Sequence, residues 1–130
     1  MSEGPRKAIF ITGGASGIGR AVAQLFGGRG WLVGLGDVND AGMAETAALL
    51  PAGAASCHQL DVRDRAQWDA ALGDFTALSG GRLDALFNNA GVGIGGPLTE
   101  SSEEEIDLLI GINLRGVLHG ARAAHRWLAA

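Results

Sequence analysis

Residue types able to grip a polar ligand stand at the ends of four apolar runs in this chain. Thr12-Gly13-Gly14-Ala15-Ser16-Gly17-Ile18-Gly19 follows Ala8-Ile9-Phe10-Ile11 and opens directly into a helical pattern. Glycines at 13, 17 and 19 let backbone come close to a bound group. The first N–H groups of the helix that follows carry partial positive charge, so the natural guest is a phosphate. Asp37 follows the second run, Asp61 stands at the end of the third, and Asn88-Asn89-Ala90-Gly91 closes the fourth.

Asp37 lies 18 residues beyond Gly19, near the spacing at which a carboxylate accepts hydrogen bonds from both ribose hydroxyls of an adenosine. A carboxylate there repels a 2′-phosphate, and no Arg or Lys between residues 30 and 54 reverses that, which favours NAD over NADP. Each feature also has a plainer reading. The glycine turn alone is compatible with a tight packing corner, and Asp37 with a solvated turn. Asp61 either meets an adenine edge or caps the third helix. Two adjacent amides at a buried strand end need several partners each, so one of Asn88 and Asn89 is expected to pin a neighbouring strand. Asn113 falls inside an apolar stripe of the last helix, where a helix-bending core amide bonded to backbone or water accounts for it equally well.

The elements that must position these residues alternate strictly. Strands are expected at residues 8–12, 31–36, 54–62 and 83–87, the first apolar on both faces as a central parallel strand is. A helix over residues 17–29 carries Ile18, Val22, Leu25 and Phe26 at helical spacing. A second, capped by Asn39 or Asp40, runs through Met43, Ala47 and Leu50 to Pro51. A third covers residues 64–78 with Trp68, Leu72 and Phe75 on one face, ended by Gly80-Gly81. After a glycine-rich loop at residues 92–98, a long helix starts near Ser101 or Ser102, with Glu104 or Glu105 closing a capping box. Its stripe is Ile106, Leu109, Ile110, Leu114, Val117, Leu118 and Ala121, and Gly111, Gly116 and Gly120 point to close packing. Right-handed crossovers turn this alternation into an α/β doubly wound parallel sheet with ligands at the carboxyl ends of its strands.

With 130 residues, 47% of them hydrophobic and 18% charged, the chain is expected to be a single globular domain over residues 1–130. The net charge of −4 argues against nucleic acid or an anionic membrane as a main partner. One cysteine, Cys57, allows no internal disulfide and suits a reducing compartment. With neither a signal-like N-terminus nor an apolar run long enough to span a bilayer, the expectation is a cytoplasmic protein. His119 and His125 are expected at the surface, and no Cys/His cluster has metal spacing, so no metal site is expected.

These residues together resemble the N-terminal half of a classical short-chain dehydrogenase/reductase. Residues 12–19 match the family's Thr-Gly-x-x-x-Gly-x-Gly, Asn88-Asn89-Ala90-Gly91 its Asn-Asn-Ala-Gly, and Asp61-Val62 its acid after the third strand. Asn113 matches the asparagine of its Asn-Ser-Tyr-Lys tetrad. The resemblance implies a Rossmann-type sheet, here about four strands in the order 3-2-1-4, and NAD-linked hydride transfer to or from a small alcohol or carbonyl substrate. It assigns the dinucleotide to Gly13, Ser16, Gly17, Ile18, Gly19, Asp37, Asp61, Val62, Asn89, Ala90 and Gly91, and a proton-relay water to Asn113.

The sequence departs from the family in having no tyrosine, and its only lysine is Lys7, far from a Tyr-x-x-x-Lys position. The expectation is therefore a truncated or proteolysed piece that binds the adenosine half of NAD without turnover. The open edge of strand four and the stripe on the last helix are expected to make a homo-oligomer. A non-catalytic dinucleotide-binding or regulatory module is a competing reading. An S-adenosylmethionine methyltransferase, which also uses a glycine turn and acids after two strands, fits the Gly13-to-Gly17 spacing and the Asn-Asn-Ala-Gly motif less well.

Overall fold

The computed structural model describes residues 6–130. Four parallel strands, β1 (Ala8–Thr12), β2 (Leu32–Asp37), β3 (Ala55–Gln59) and β4 (Ala85–Phe87), lie in the order β3-β2-β1-β4. The parallel, doubly wound arrangement is the one expected from alternation and right-handed crossovers, and the strand order is the one the family resemblance implies. Central β1 is buried along its whole length and pairs Ala8 with Leu32 on one side and Ile9 with Ala85 on the other.

Alternation along the strands divides the core between the two sheet faces. Phe10, Leu60, Trp68, Leu72 and Phe75 fill one, and Ile9, Ile11, Val33, Leu35 and Met43 the other. β2 carries glycine under the aromatic layer for a steric reason. A Cβ on Gly34 would lie 2.6 Å from Phe10 and 2.7 Å from Phe75, whose rings meet edge-on with centroids 5.5 Å apart.

Helices α1 (Gly17–Gly28), α2 (Asp40–Ala48) and α3 (Arg65–Leu78) connect the strands. A short 3-10 turn at Leu98–Glu100 precedes α4 (Glu103–Ile110), a π-helical turn at Gly111–Arg115 and α5 (Gly116–Leu128). Ser102 and Glu105 form the capping box of α4, the second of the two expected pairings.

Several expectations need correction. The third strand stops at Gln59 rather than Val62, because the Asp61 N–H bonds the Gln67 side chain and its carbonyl accepts from Asp64, turning the chain out of the sheet. Asp64, not Asp61, caps α3 by accepting from the Gln67 N–H. β4 begins at Ala85 rather than residue 83, since the Asp84 carboxylate takes the Ala8 N–H that a strand partner would otherwise use. The first and second helices end at Gly28 and Ala48, short of the expected Arg29 and Pro51.

Ile18 and Leu25 are exposed; α1 faces the sheet with Gly19, Ala23 and Gly27, small residues that bring its backbone close. The last helix is not continuous. The π turn inserts a residue into the helical period, so the apolar phase before it does not carry through. Ile110, Leu114 and Leu118 of the expected stripe point to solvent, while Gly116, Gly120 and Ala124 are buried against the core.

Candidate functional site

The carboxyl ends of the strands enclose a cleft of about 390 Å³. Ten of the eleven residues expected to hold a dinucleotide line it. Gly13, Ser16, Gly17 and Ile18 come from the turn after β1, and Asp37 ends β2. Asp61 and Val62 follow β3, and Asn89, Ala90 and Gly91 follow β4. The eleventh, Gly19, lies behind the wall. A Cβ there would meet the Gly13 carbonyl oxygen at 2.1 Å, so its task is to let α1 close against the turn.

The turn is fixed to the sheet by the Gly13 N–H, which donates to the Gly36 carbonyl at 2.9 Å. Gly13 and Gly17 have φ of +70° and +56°, left-handed conformations that glycine adopts at no steric cost. Helix α1 begins at the cleft with an N-cap, Ser16, whose side chain makes no capping bond, and no acid lies in its first turn. Helices α2, α3 and α4 each have a side-chain oxygen of Asn39, Asp64 or Ser102 in that place. The donors that a side chain satisfies elsewhere are left at α1 for an anionic guest, in step with the helix dipole.

Asp37 is held by two backbone donors. Its Oδ2 accepts from the Ala15 N–H at 3.2 Å and its Oδ1 from the Asn39 N–H at 3.0 Å, leaving acceptor capacity on both oxygens. The nearby cation Arg20 spends its donors on the Ala15 and Gly42 carbonyls, the Thr46 hydroxyl and Glu45. Asp37 therefore remains the local charge at its strand end.

Asp61 has a partner that the sequence reading overlooked. Arg63 engages it in a fork, Nε to Oδ1 at 3.0 Å and Nη2 to Oδ2 at 2.7 Å, and the Arg63 backbone N–H adds a bond to Oδ1. These bonds hold the Asp61 carboxyl below the usual carboxylate range. The signal was present in the sequence, a cation two residues from the acid.

The paired asparagines divide their work. Asn89 Nδ2 donates to the Thr12 carbonyl at 3.2 Å, pinning β4 to β1, while Asn88 Nδ2 donates to the Val117 carbonyl of α5 at 3.1 Å. Thr12 completes the join, its hydroxyl accepting from the Asn89 and Ala90 N–H groups, both at 3.0 Å. Asn113 is an exposed residue rather than a core amide, and it lies in the middle of the π turn. It accepts from the Val92 N–H and donates to the Val92 carbonyl, both at 2.8 Å. Val92 lines the cleft and Asn113 does not, so Asn113 acts on the cleft through that wall.

Among the described residues no group of His, Cys, Asp and Glu could hold a metal ion, and no helix is long and apolar enough to cross a membrane. Cys57 is free and exposed.

Comparison with known proteins agrees with this geometry. The sequence profile of the family described as short chain dehydrogenase matches residues 7–130. A C alpha-dehydrogenase of Sphingobium sp. is 34% identical over 92% of this chain and 40% of its own length. An L-2,3-butanediol dehydrogenase of Corynebacterium glutamicum is 35% identical over 92% of this chain and 48% of its own. Among solved structures, a short chain dehydrogenase/reductase from Burkholderia phymatum in complex with NAD superposes with a TM-score of 0.89 and 38% identity, covering 98% of this chain and 46% of that one. The chain thus spans less than half the length of these relatives.

Proposed function

The chain belongs to the short chain dehydrogenase family, and from that premise we propose that its strand-end cleft holds NAD for hydride transfer involving a small alcohol or carbonyl compound. The observation that carries the reading is the N-terminus of α1, which opens on the cleft without the side-chain cap that α2, α3 and α4 possess. The NAD complex of the Burkholderia relative supports the choice of ligand.

In this reading Ser16, Gly17 and Ile18 receive the pyrophosphate on backbone N–H groups, Gly13 lets the turn pass close beneath it with its own N–H fixed to the sheet, and Gly19 keeps helix and turn together. Asp37 accepts the ribose hydroxyls and disfavours a 2′-phosphate by like-charge repulsion. Asp61 and Val62 border the adenine, and Asn89, Ala90 and Gly91 border the rest of the dinucleotide. NAD supplies the hydride acceptor, and NADH the donor.

Asn113 is a positioning residue. The family resemblance gives it a place in a proton relay, and its geometry supports a more local task, since both ends of its amide are spent on holding Val92. With no tyrosine in the sequence, the chain has no phenol to exchange a proton with the substrate oxygen.

Calorimetric titration tests the reading against its methyltransferase competitor. NAD is expected to bind saturably at one site and S-adenosylmethionine to give no binding heat. Binding of S-adenosylmethionine with none of NAD would overturn it.

A further inference from the structure

A second cleft, of about 270 Å³, lies between the start of α3 and the outer face of α5 and shares no residue with the strand-end cleft. Close approach of the two helices creates it. Gly120 of α5 sits over Trp68 of α3, where a Cβ would come within 2.6 Å of the indole ring. That contact brings Arg65 and Asp69, one turn apart on α3, beside His119, Arg122, His125 and Arg126 of α5. Three guanidiniums and two imidazoles thus surround one carboxylate in a chain whose net charge is −4.

The arginines of this cleft differ from others in the molecule. Arg20, Arg63 and Arg82 each pair with a carboxylate, whereas Arg65, Arg122 and Arg126 form no ion pair among the described residues, not even with Asp69. Arg126 stacks on the Trp127 ring, 4.6 Å from its centroid. The helix dipole explains a cation at the C-terminal end of α5, where His125 and Arg126 lie. It does not explain Arg122, nor Arg65. Arg65 is the first residue of the 14-residue α3, at the end where the dipole disfavours a cation. Three guanidiniums without an ion-pair partner, one of them at the positive end of α3, line a concave surface and form a focused positive field.

We propose that this α3/α5 cleft binds a small, multiply charged oxoanion of the phosphate class. Guanidinium forks from two helices suit phosphate oxygens, and the volume admits a pyrophosphate. Asp69 on the rim disfavours a guest that cannot offset it with several negative charges. No step of the proposed dinucleotide chemistry depends on this site.

The test is an NMR titration of the 130-residue chain with sodium pyrophosphate at constant ionic strength, followed on assigned backbone amides. Saturable shifts are expected at residues 65–69 and 119–126. Arg122→Gln and Arg65→Gln, substitutions at exposed positions on different helices, are each expected to weaken binding about tenfold. Chloride at the same ionic strength is expected to reproduce none of it. Shifts confined to residues 13–19, or wild-type affinity in both folded variants, would overturn the proposal. So would saturable binding to vesicles of anionic lipid with no binding of free pyrophosphate, because that makes the cleft a membrane contact.

Discussion

Asn113 commits its side-chain amide twice to one residue, donating to the carbonyl of Val92 and accepting from its N–H. A glycine-rich loop with no regular structure between Asn88 and Pro97 needs such an anchor to keep a defined wall. Asn113→Ala removes both bonds and is expected to lower stability by about 1 kcal/mol, because the pair is exposed and water replaces part of it. Asn113→Asp is expected to cost no less, since it keeps the acceptor but turns a carboxylate oxygen toward the Val92 carbonyl. Hydrogen exchange checks both, with the Val92 amide expected to lose protection in each variant while the amides of β1 keep theirs. Asn113 was visible in the sequence as an amide among apolar residues, but its partner was not. The pairing joins residues 21 apart and depends on a π turn that no hydropathy pattern encodes.

At the scale of elements, the strand ends carry ion pairs whose strength depends on pH. Asp84 accepts from the Ala8 N–H and from Arg82 Nε, both at 2.8 Å, so one carboxylate ties the start of β1 to the segment before β4. Its bond with Arg82 is the main cause holding its carboxyl below the ordinary value, as the Arg63 bond is for Asp61. A depressed folded-state pKa stabilises the fold above the unfolded-state pKa, and that contribution is lost as pH falls through the folded value. The contribution of these two carboxylates to the urea midpoint is therefore expected to be full near neutrality and to be lost below about pH 4, the ordinary carboxylate range. Asp84→Asn is expected to shrink that loss, and an unchanged acid limb in this variant would contradict the assignment.

Elements were legible wherever local chemistry decides them. Ser102 with Glu105, Asn39, and the Gly80-Gly81 break can be read without knowing the fold. Burial phase was less so. Ile18 and Leu118 have helical spacing yet face solvent, because the close contacts are made by glycines and alanines that a hydrophobic stripe does not register.

At the scale of the whole molecule, a parallel doubly wound sheet followed from strict alternation and crossover handedness, and the family resemblance supplied the strand order β3-β2-β1-β4. The cleft followed from it, because all four strand ends then meet on one side. What alternation could not supply were particular pairings, the local one of Arg63 with Asp61 and the one across the sheet of Thr12 with the segment after β4. The exposed Ile110, Leu114 and Leu118 and the edge of β4 leave apolar and backbone surface open. Self-association at micromolar concentration is the expected outcome in light scattering, and a clean monomer would contradict it. The charge that Asp37 brings to its strand end is what separates the two dinucleotides. Calorimetric dissociation constants for NAD and NADP on the same preparation measure it. NAD is expected to bind more tightly by about tenfold or more; NADP binding as tightly as NAD, or neither binding, would contradict the role given to Asp37.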